Sequence, residues 1–269
     1  MTWPAPTSWS MTRSIAETDP EEHLVSAQNL VAEYPKLFRA QRALRGATLT
    51  ARTGEITAVV GPNGAGKTTL FRILLGFMRA ESGRCLVGGL APLDYRRRHG
   101  VAYVPEFPIL PRGWTGRDVL GRGADLAVGP EKRREAFVQS LERAALNDET
   151  LSKDVRKCSH GTQRRLWLAC ALIGDPAFLV LDEPFSGLDP PARAALRHEM
   201  LAARARGAAV LIATHDLGET ARLADRIVLL ENGRTKAART LAESGGVSGE
   251  GLEREFFGAN DDALPGSSS

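Results

Sequence analysis

The feature that constrains this chain most is a glycine-rich turn between a predicted strand and a predicted helix. The apolar run 56–60 predicts a buried strand, and apolar residues at helical spacing predict a helix over 67–76. Between them the chain matches the pattern GxxxxGK[ST], which is formed by Gly61, Pro62, Asn63, Gly64, Ala65, Gly66, Lys67 and Thr68. Strand, glycine loop and helix in this order predict an α/β unit that holds a phosphate group.

The residue types of this loop suit a nucleoside triphosphate with Mg²⁺. Glycines let backbone N–H groups curl around a β-phosphate, and the helix N-terminus adds a positive dipole. Lys67 supplies a point charge, the Thr68 hydroxyl suits Mg²⁺, and Thr69 completes the predicted ATP-binding set. The alternative is a plain glycine turn, which the flanking strand and helix disfavour.

Acidic and imidazole side chains follow two further apolar strands. The run 178–181 ends at Asp182, a second predicted metal ligand, and Glu183 comes next as the predicted general base for the attacking water. His215 follows the run 210–213, so it is expected in the same crevice, where it can donate to the γ-phosphate or hold the water. The alternatives are a pair of exposed loop acids and a structural histidine.

An aromatic ring upstream of the glycine loop is a candidate for stacking on adenine. Tyr34 is the first choice, and Phe38 is a competing one. An ordinary core aromatic is the alternative for either residue.

The order of the predicted elements gives the fold class. Short β-prone pieces at 23–31, 47–51 and 56–60, broken by Gly46 and Gly54, predict an antiparallel β subdomain near the N-terminus. Charged, helix-favouring sequence then predicts an inserted α-helical subdomain at about 107–160. After it, helices and buried strands alternate, which indicates a mostly parallel sheet. The runs concerned are 166–173 and 191–206 for helices and 178–181 and 210–213 for strands. The chain is thus predicted to be an α/β P-loop NTPase.

Composition narrows the function classes. The 35 basic and 32 acidic residues give a net charge of +3, too small a field to predict nucleic-acid binding. The three cysteines form no CxxC pair, so neither a disulfide framework nor a zinc site is indicated, and a reducing cytoplasm fits. No apolar run reaches the length of a membrane span, so membrane association is expected to go through a partner. Residues 1–22 are predicted to be a flexible lead and 243–269 a partly disordered tail.

Over about 24–232, the motifs in this order resemble those of the ABC ATPase family. The family's signature loop, usually LSGGQ, aligns with 158–162, where Ser159 and Gly161 are kept. The stretch 186–189 matches the D-loop with Asp189, 214–216 resembles the switch-histidine motif, and Tyr34 resembles the A-loop aromatic. The resemblance implies an ABC ATPase domain over 23–242 and adds Ser159, Gly161 and Asp189 to the ATP-binding set.

Two departures from the family pattern stand out. Cys158, His160 and Thr162 replace the usual Leu, Gly and Gln of the signature loop, and Glu106 replaces the Q-loop glutamine. Glutamate can still ligate Mg²⁺ through an oxygen, so Glu106 joins Thr68 and Asp182 as a predicted metal residue. Glu-bearing Q-loops occur in export-type members, and this favours export.

The resemblance implies an ATP-hydrolysing subunit of a membrane transporter at the cytoplasmic face of the membrane. In this family the signature loop completes the site of the opposite subunit, so one phosphate loop per chain implies a second ATPase subunit, either a copy or a paralogue. A separate transmembrane permease is the other implied partner, and no nucleic acid is expected.

Two other readings stay open at this point. A soluble ABC-type ATPase acting on nucleic acid or ribosomes shares the core, although the chain shows no second cassette, long coiled coil or CxxC module. A P-loop kinase of a small metabolite shares the phosphate loop but gives no reason for the signature and D-loop residues. The transported substrate is not encoded in these motifs.

Overall fold

The computed structural model describes residues 23–34, 41–241 and 248–257. They form two sheets and nine α-helices. The strands are β1 (Val25–Tyr34), β2 (Gln41–Ala51), β3 (Ile56–Val60), β4 (Ser82–Val87), β5 (Ala102–Val104), β6 (Phe178–Asp182), β7 (Ala209–Thr214), β8 (Arg226–Glu231) and β9 (Arg234–Thr240). The predicted lead at 1–22, the candidate Phe38 and residues 258–269 of the predicted tail lie outside the described residues.

The larger sheet has six strands in the order β5-β6-β7-β3-β8-β9. Its pairs are parallel except for β9, which runs antiparallel to β8. Every residue of β3, β6 and β7 is buried, as expected for strands covered on both faces. The mostly parallel sheet predicted from continuous apolar runs is confirmed.

The smaller sheet is antiparallel in the order β2-β1-β4, which confirms an antiparallel β subdomain near the N-terminus. The piece 56–60 was wrongly assigned to it, because it forms β3 of the larger sheet and pairs in parallel with β7 and β8, while the third strand of the small sheet is β4. Gly46, predicted to break this region, lies instead inside β2. Its φ of +112° and the shift of register between the pairs Leu30–Ala47 and Val31–Arg45 place it in a bulge. The strand therefore continues through the glycine, and β2 begins at 41 rather than at 47.

Four helices, from α3 to α6, lie between β5 and β6 and form the predicted helical insertion. The helices of the described chain are α1 (Lys67–Leu74), α2 (Pro92–His99), α3 (Gly116–Ala127), α4 (Arg133–Ala144), α5 (Asp148–Leu151), α6 (His160–Ala171), α7 (Pro190–Ala205), α8 (Leu217–Leu223) and α9 (Gly249–Phe257). The helix predicted at 166–173 begins earlier, at His160, because Ser159 caps it by accepting a hydrogen bond from the Thr162 N–H at 3.2 Å. The exact subdomain and domain boundaries stay a prediction.

Part of the predicted tail is ordered. Helix α9 packs against α8, and its Leu252 is fully buried in the core. Gly249 lies so close to Gly218 that an added Cβ would be 2.7 Å from the Gly218 Cα. None of the helices in the ranges that the structure describes is long and apolar enough to span a membrane.

The two faces of the large sheet carry separate hydrophobic cores. One joins the sheet to α1 and to the small antiparallel sheet, and the other joins it to α7 and α8. Strands β6, β7 and β3 are neighbours, so their carboxyl ends, which lead into Glu183, His215 and Gly61, lie side by side at one edge. Ligands of open parallel sheets bind at such an edge.

Candidate functional site

The glycine loop after β3 is held tightly between β8 and β2. A Cβ at Gly61 would lie 2.1 Å from the Leu230 carbonyl oxygen, and one at Gly66 would lie 2.7 Å from the Ala43 oxygen. Gly66 also has a φ of +107°, which side-chain-bearing residues rarely adopt. The loop geometry therefore requires glycine at both positions and brings backbone N–H groups to the start of α1.

Lys67 lies within this loop, and its side chain is buried at 7% exposure. Its Nζ donates a hydrogen bond to the Gly61 carbonyl oxygen at 2.6 Å and lies 3.4 Å from the Glu183 Oε1. A buried ammonium with these neighbours is a fixed positive charge at the mouth of the loop. That is the position in which a phosphate group would be neutralised.

Thr68 and Asp182 meet across the sheet edge. The Thr68 hydroxyl donates to the Asp182 Oδ2 at 2.8 Å. Burial raises the pKa of the Asp182 carboxyl, with smaller raising effects from Glu106 and Glu183, and the Thr68 hydrogen bond and Lys67 act in the opposite direction. A bound cation would stabilise this buried carboxylate. Mg²⁺ suits the pair because it prefers oxygen ligands and completes its coordination shell with waters and substrate phosphates.

The described residues hold no group of three or more His, Cys, Asp or Glu side chains able to bind a metal by themselves. Thr68 and Asp182 therefore fit Mg²⁺ that arrives with phosphate oxygens rather than an ion held by protein alone. Glu106 is half-buried, and its negative charge contributes to raising the pKa of Asp182. Among the described residues no hydrogen bond joins the two side chains.

Glu183 and His215 are in direct contact. The His215 Nδ1 lies 3.0 Å from the Glu183 Oε2, while the other carboxylate oxygen of Glu183 is buried without a hydrogen-bond partner. Glu183 has a φ of +46°, and its N–H donates to the Ala213 oxygen at 2.8 Å. Residues other than glycine adopt such a left-handed backbone only where the surrounding structure holds it in place, and these residues cluster at functional sites.

Tyr34 lies beside the start of α1. Its hydroxyl is 3.3 Å from the Thr69 Oγ1 and accepts a hydrogen bond from the Arg72 Nη1 at 3.0 Å. The phenol is thus fixed next to the phosphate loop and is partly exposed. Its stacking on adenine stays a prediction.

The other predicted ATP-binding residues lie apart from this cluster. Ser159 caps α6, and Asp189 caps α7 by accepting from the Ala192 N–H at 2.9 Å. A Cβ at Gly161 would lie 3.8 Å from the Gly187 oxygen, so the signature loop and the D-loop stretch are neighbours. Among the described residues no hydrogen bond or ion pair links Ser159, Gly161 or Asp189 to the phosphate loop.

Arg164, which sequence reasoning did not select, connects several of these segments. It is buried at 8% exposure on α6. Its guanidinium donates to the backbone oxygens of Glu106, Asp182 and Ser186. An arginine in a helix of mixed composition carries no sequence signal of burial, which is why the pattern did not reveal it.

A second group missed at the sequence level fixes the segment after His215. Arg193 donates to the Asp216 Oδ2 at 3.0 Å, and Arg197 forms hydrogen bonds of 2.7 and 2.9 Å with the Glu219 carboxylate. The two arginines are four residues apart and the two acids three, so each pair shares one helix face. That spacing was the available signal.

Fold and site together define a P-loop NTPase. Residues 44–186 match the family model described as ABC transporter, which is more than half of the chain. The chain belongs to the ABC transporter family as one of its ATP-binding proteins, and the resemblance found from the motifs is confirmed.

Individual relatives agree with this assignment. The chain is 37% identical over 211 residues to the Nod factor export ATP-binding protein I of Rhizobium sp. (strain N33), an alignment covering 77% of this chain and 69% of the relative. It is 36% identical over 203 residues to an uncharacterized ABC transporter ATP-binding protein of Nostoc sp. (strain PCC 7120), covering 75% of this chain and 61% of the relative. The chain thus spans about two thirds of the length of these relatives.

Solved structures give the same fold. An ATP-binding subunit of an ABC transporter superposes with a TM-score of 0.74 at 30% identity, covering 87% of this chain and 93% of the other. A dimeric bacterial ABC transporter cassette gives a TM-score of 0.73 at 22% identity, covering 81% of this chain and 98% of the other. The second likeness concerns the fold alone.

Proposed function

We propose that this chain is the ATP-binding and ATP-hydrolysing subunit of an ABC transporter that exports its substrate. The observation that carries the ATPase proposal is the contact cluster at the carboxyl edge of β3, β6 and β7. In it a buried lysine forms an ion pair with one carboxylate, which an imidazole also contacts, and a hydroxyl donates to the neighbouring carboxylate.

Binding of ATP is assigned to the loop and the first turn of α1. The backbone N–H groups of the loop and the helix dipole face the phosphates, and Lys67 neutralises their charge. Binding would move the Lys67 ammonium from the Gly61 oxygen, which it now contacts at 2.6 Å, towards a phosphate oxygen. Tyr34, held by Arg72, is assigned to the adenine.

Thr68 and Asp182 would hold Mg²⁺ together with phosphate oxygens, and Glu106 is proposed as the third protein group near it. When bound, Mg²⁺ neutralises charge that develops on the transferred phosphoryl group. The 2.8 Å contact between the Thr68 hydroxyl and the Asp182 carboxylate supports this donor set. Asp182 must be ionised to serve, despite the burial that raises its pKa.

Glu183 is proposed to orient the attacking water and to accept its proton. Its carboxylate is buried between Lys67 and His215. One of its oxygens has no hydrogen-bond partner, so a water molecule can donate to it. His215 holds the other oxygen at 3.0 Å and is the proposed donor to the γ-phosphate. Catalysis of this kind rests on positioning and charge stabilisation.

The transporter part of the proposal rests on relatives and on the family pattern. Relatives named Nod factor export ATP-binding protein I favour export, as does Glu106 at the Q-loop position. The proposed assembly has two ATPase subunits, each signature loop completing the site of the other, and a separate permease. The chain would then be peripheral, at the cytoplasmic face of the membrane.

The ATPase proposal is tested by Lys67→Ala. Removing the buried ammonium should abolish ATP binding or turnover, because no other lysine lies in the described cluster. Lys236→Ala, which removes a half-exposed lysine on β9, is the matched control and should hydrolyse ATP like the wild type. Normal hydrolysis by Lys67→Ala would exclude this site.

The transporter proposal is tested by purifying the tagged chain from detergent-solubilised membranes of its host and identifying what accompanies it. A stoichiometric multi-span protein is expected. Recovery from the soluble fraction with ribosomal or DNA-repair components would leave the ATPase in place and overturn the transporter assignment in favour of the nucleic-acid alternative.

A further inference from the structure

We infer that Arg164 is a positioning residue that ties the signature helix α6 to the loops carrying the proposed metal ligands and base. The inference rests on the proposed function. Arg164 does not touch the Thr68, Asp182 or Glu183 side chains by any hydrogen bond or ion pair of the described residues, so its action is on the backbone that holds them.

The contacts of Arg164 converge on three segments of different origin. One guanidinium nitrogen, Nη1, donates to the Ser186 oxygen, at the start of the D-loop stretch. The other, Nη2, lies 3.2 Å from the Glu106 oxygen and 3.4 Å from the Asp182 oxygen. One side chain from the helical insertion thereby contacts the ends of β5 and β6 and the turn before α7.

The same side chain offsets a concentration of negative charge. Burial lowers the pKa of Arg164, while the charges of Glu106, Glu183 and Asp182 favour its protonated form. A buried arginine keeps its charge because the guanidinium group is not deprotonated in proteins. Removing it would leave three acidic groups with less compensation and the three carbonyl oxygens without a shared donor.

Arg164 also lies within two turns of the signature residues. Helix α6 begins at His160 behind the Ser159 cap, so a shift of the cap moves Arg164 with the same rigid helix. If the signature loop engages a second subunit, as proposed, the guanidinium fork is the direct mechanical link from that loop to Asp182 and Glu183. A lysine has one compact ammonium and does not present the same fork.

The test compares Arg164→Met and Arg164→Lys in ATP hydrolysis by the full chain. Arg164→Met should lower kcat about tenfold to a hundredfold, the size of effect that follows a small misplacement of reacting groups. The KM for ATP should stay near the wild-type value, because the phosphate loop is untouched. Arg164→Lys should be intermediate, since it restores the charge but not the fork.

Arg165→Met is the matched control. Arg165 is its half-buried neighbour on α6 and makes no hydrogen bond or ion pair with the described residues, so kcat should be unchanged. Thermal unfolding of each variant separates loss of fold from loss of positioning. Should Arg164→Met fail to fold, Arg164→Lys decides: a lower kcat with a wild-type KM supports the inference, and a wild-type kcat overturns it.

Wild-type kcat in a folded Arg164→Met variant would overturn the inference, because the backbone contacts of the guanidinium would then not position the site. Failure of the proposed function would look different, with Lys67→Ala as active as the wild type.

Discussion

At the scale of single residues, Asp182 shows a conflict between stability and function. Its carboxyl is buried, and burial raises its pKa, so the ionised form that suits a cation destabilises the fold. The Thr68 hydroxyl compensates for part of this cost. Active sites commonly retain such destabilising groups because the chemistry requires them.

Asp182→Asn is therefore predicted to stabilise the protein and to abolish ATP turnover. At pH 7 the free energy of unfolding should rise by about 0.5–2 kcal/mol, the range common for single stabilising substitutions. Because the pKa of Asp182 is raised in the folded state, its ionisation destabilises the wild-type fold at high pH. The stabilisation by Asp182→Asn is therefore full above the folded-state pKa. It shrinks as the pH falls through that pKa towards the unfolded-state pKa of 3.8. Urea unfolding at several pH values measures the difference.

Asp189→Asn is the control for this prediction. Asp189 is exposed and caps α7, and asparagine caps a helix about as well as aspartate, so the free energy of unfolding should change little. If Asp182→Asn were less stable than the wild type at neutral pH, the carboxylate would be stabilising and our account of its burial would be wrong.

The sequence predicted which side chains lie together where those side chains belong to a motif. Lys67, Thr68, Asp182 and Glu183 follow directly from the glycine pattern and from strands that end in acids, and the structure brings them together. The contacts of Arg164 could not be predicted from the sequence, because its three partners are backbone oxygens of residues distant in the chain. Nothing in its local sequence distinguishes it from Arg165.

At the scale of elements, the contact between α3 and α6 is very close. A Cβ at Gly123 would lie 2.4 Å from the Cys170 Sγ and 3.0 Å from the Ile173 Cδ1. Gly121, two residues earlier in the same helix, would place a Cβ no closer than 3.9 Å to the Phe137 ring. The two glycines thus share a helical backbone but differ in the space around them.

Gly123→Ala is predicted to destabilise the protein by about 1–3 kcal/mol, the usual cost of overpacking a core. Gly121→Ala should instead be neutral or stabilising by up to about 1 kcal/mol, since alanine favours the helix and meets only ordinary contacts. Denaturant unfolding of both variants provides the comparison. Equal stability of the two would show that α3 and α6 are not packed as closely as described.

Elements were predicted best where the pattern was long and apolar. Strands β3, β6 and β7 match the predicted runs to within one residue at each end, because buried strands of a parallel sheet are continuously hydrophobic. The polar strands β4 and β9 were missed, since β4 is exposed over its first half and β9 alternates with exposed residues, which leaves a weak apolar signal. The buried strand β8 was missed although its run 227–230 is apolar. The start of α6 was missed because Ser159 was interpreted only as a signature residue.

At the scale of the whole molecule, the order of motifs predicted the architecture and the family. The sheet order places β3, β6 and β7 together, so residues far apart in sequence converge without further assumption. The packing of α9 on α8 was not predicted, because the segment before it is rich in glycine and serine. A short amphipathic helix after such a segment gives little periodicity to read.

The part of the chain that the structure describes holds one phosphate loop, and Ser159, Gly161 and Asp189 lie outside the cluster around it. The proposed motor therefore needs a second subunit, and ATP should bring the two together. Glu183→Gln is the suited variant, because it should bind ATP while losing the proposed base, so that bound nucleotide persists.

The most direct measurement is the molar mass of Glu183→Gln in solution with and without saturating ATP and Mg²⁺, by light scattering after size-exclusion chromatography. We predict a monomer without ATP and a dimer with it, and Glu183→Gln combined with Lys67→Ala should stay monomeric in both conditions. A Glu183→Gln variant that binds ATP yet remains monomeric, and pairs with no paralogue of its host, would contradict the account.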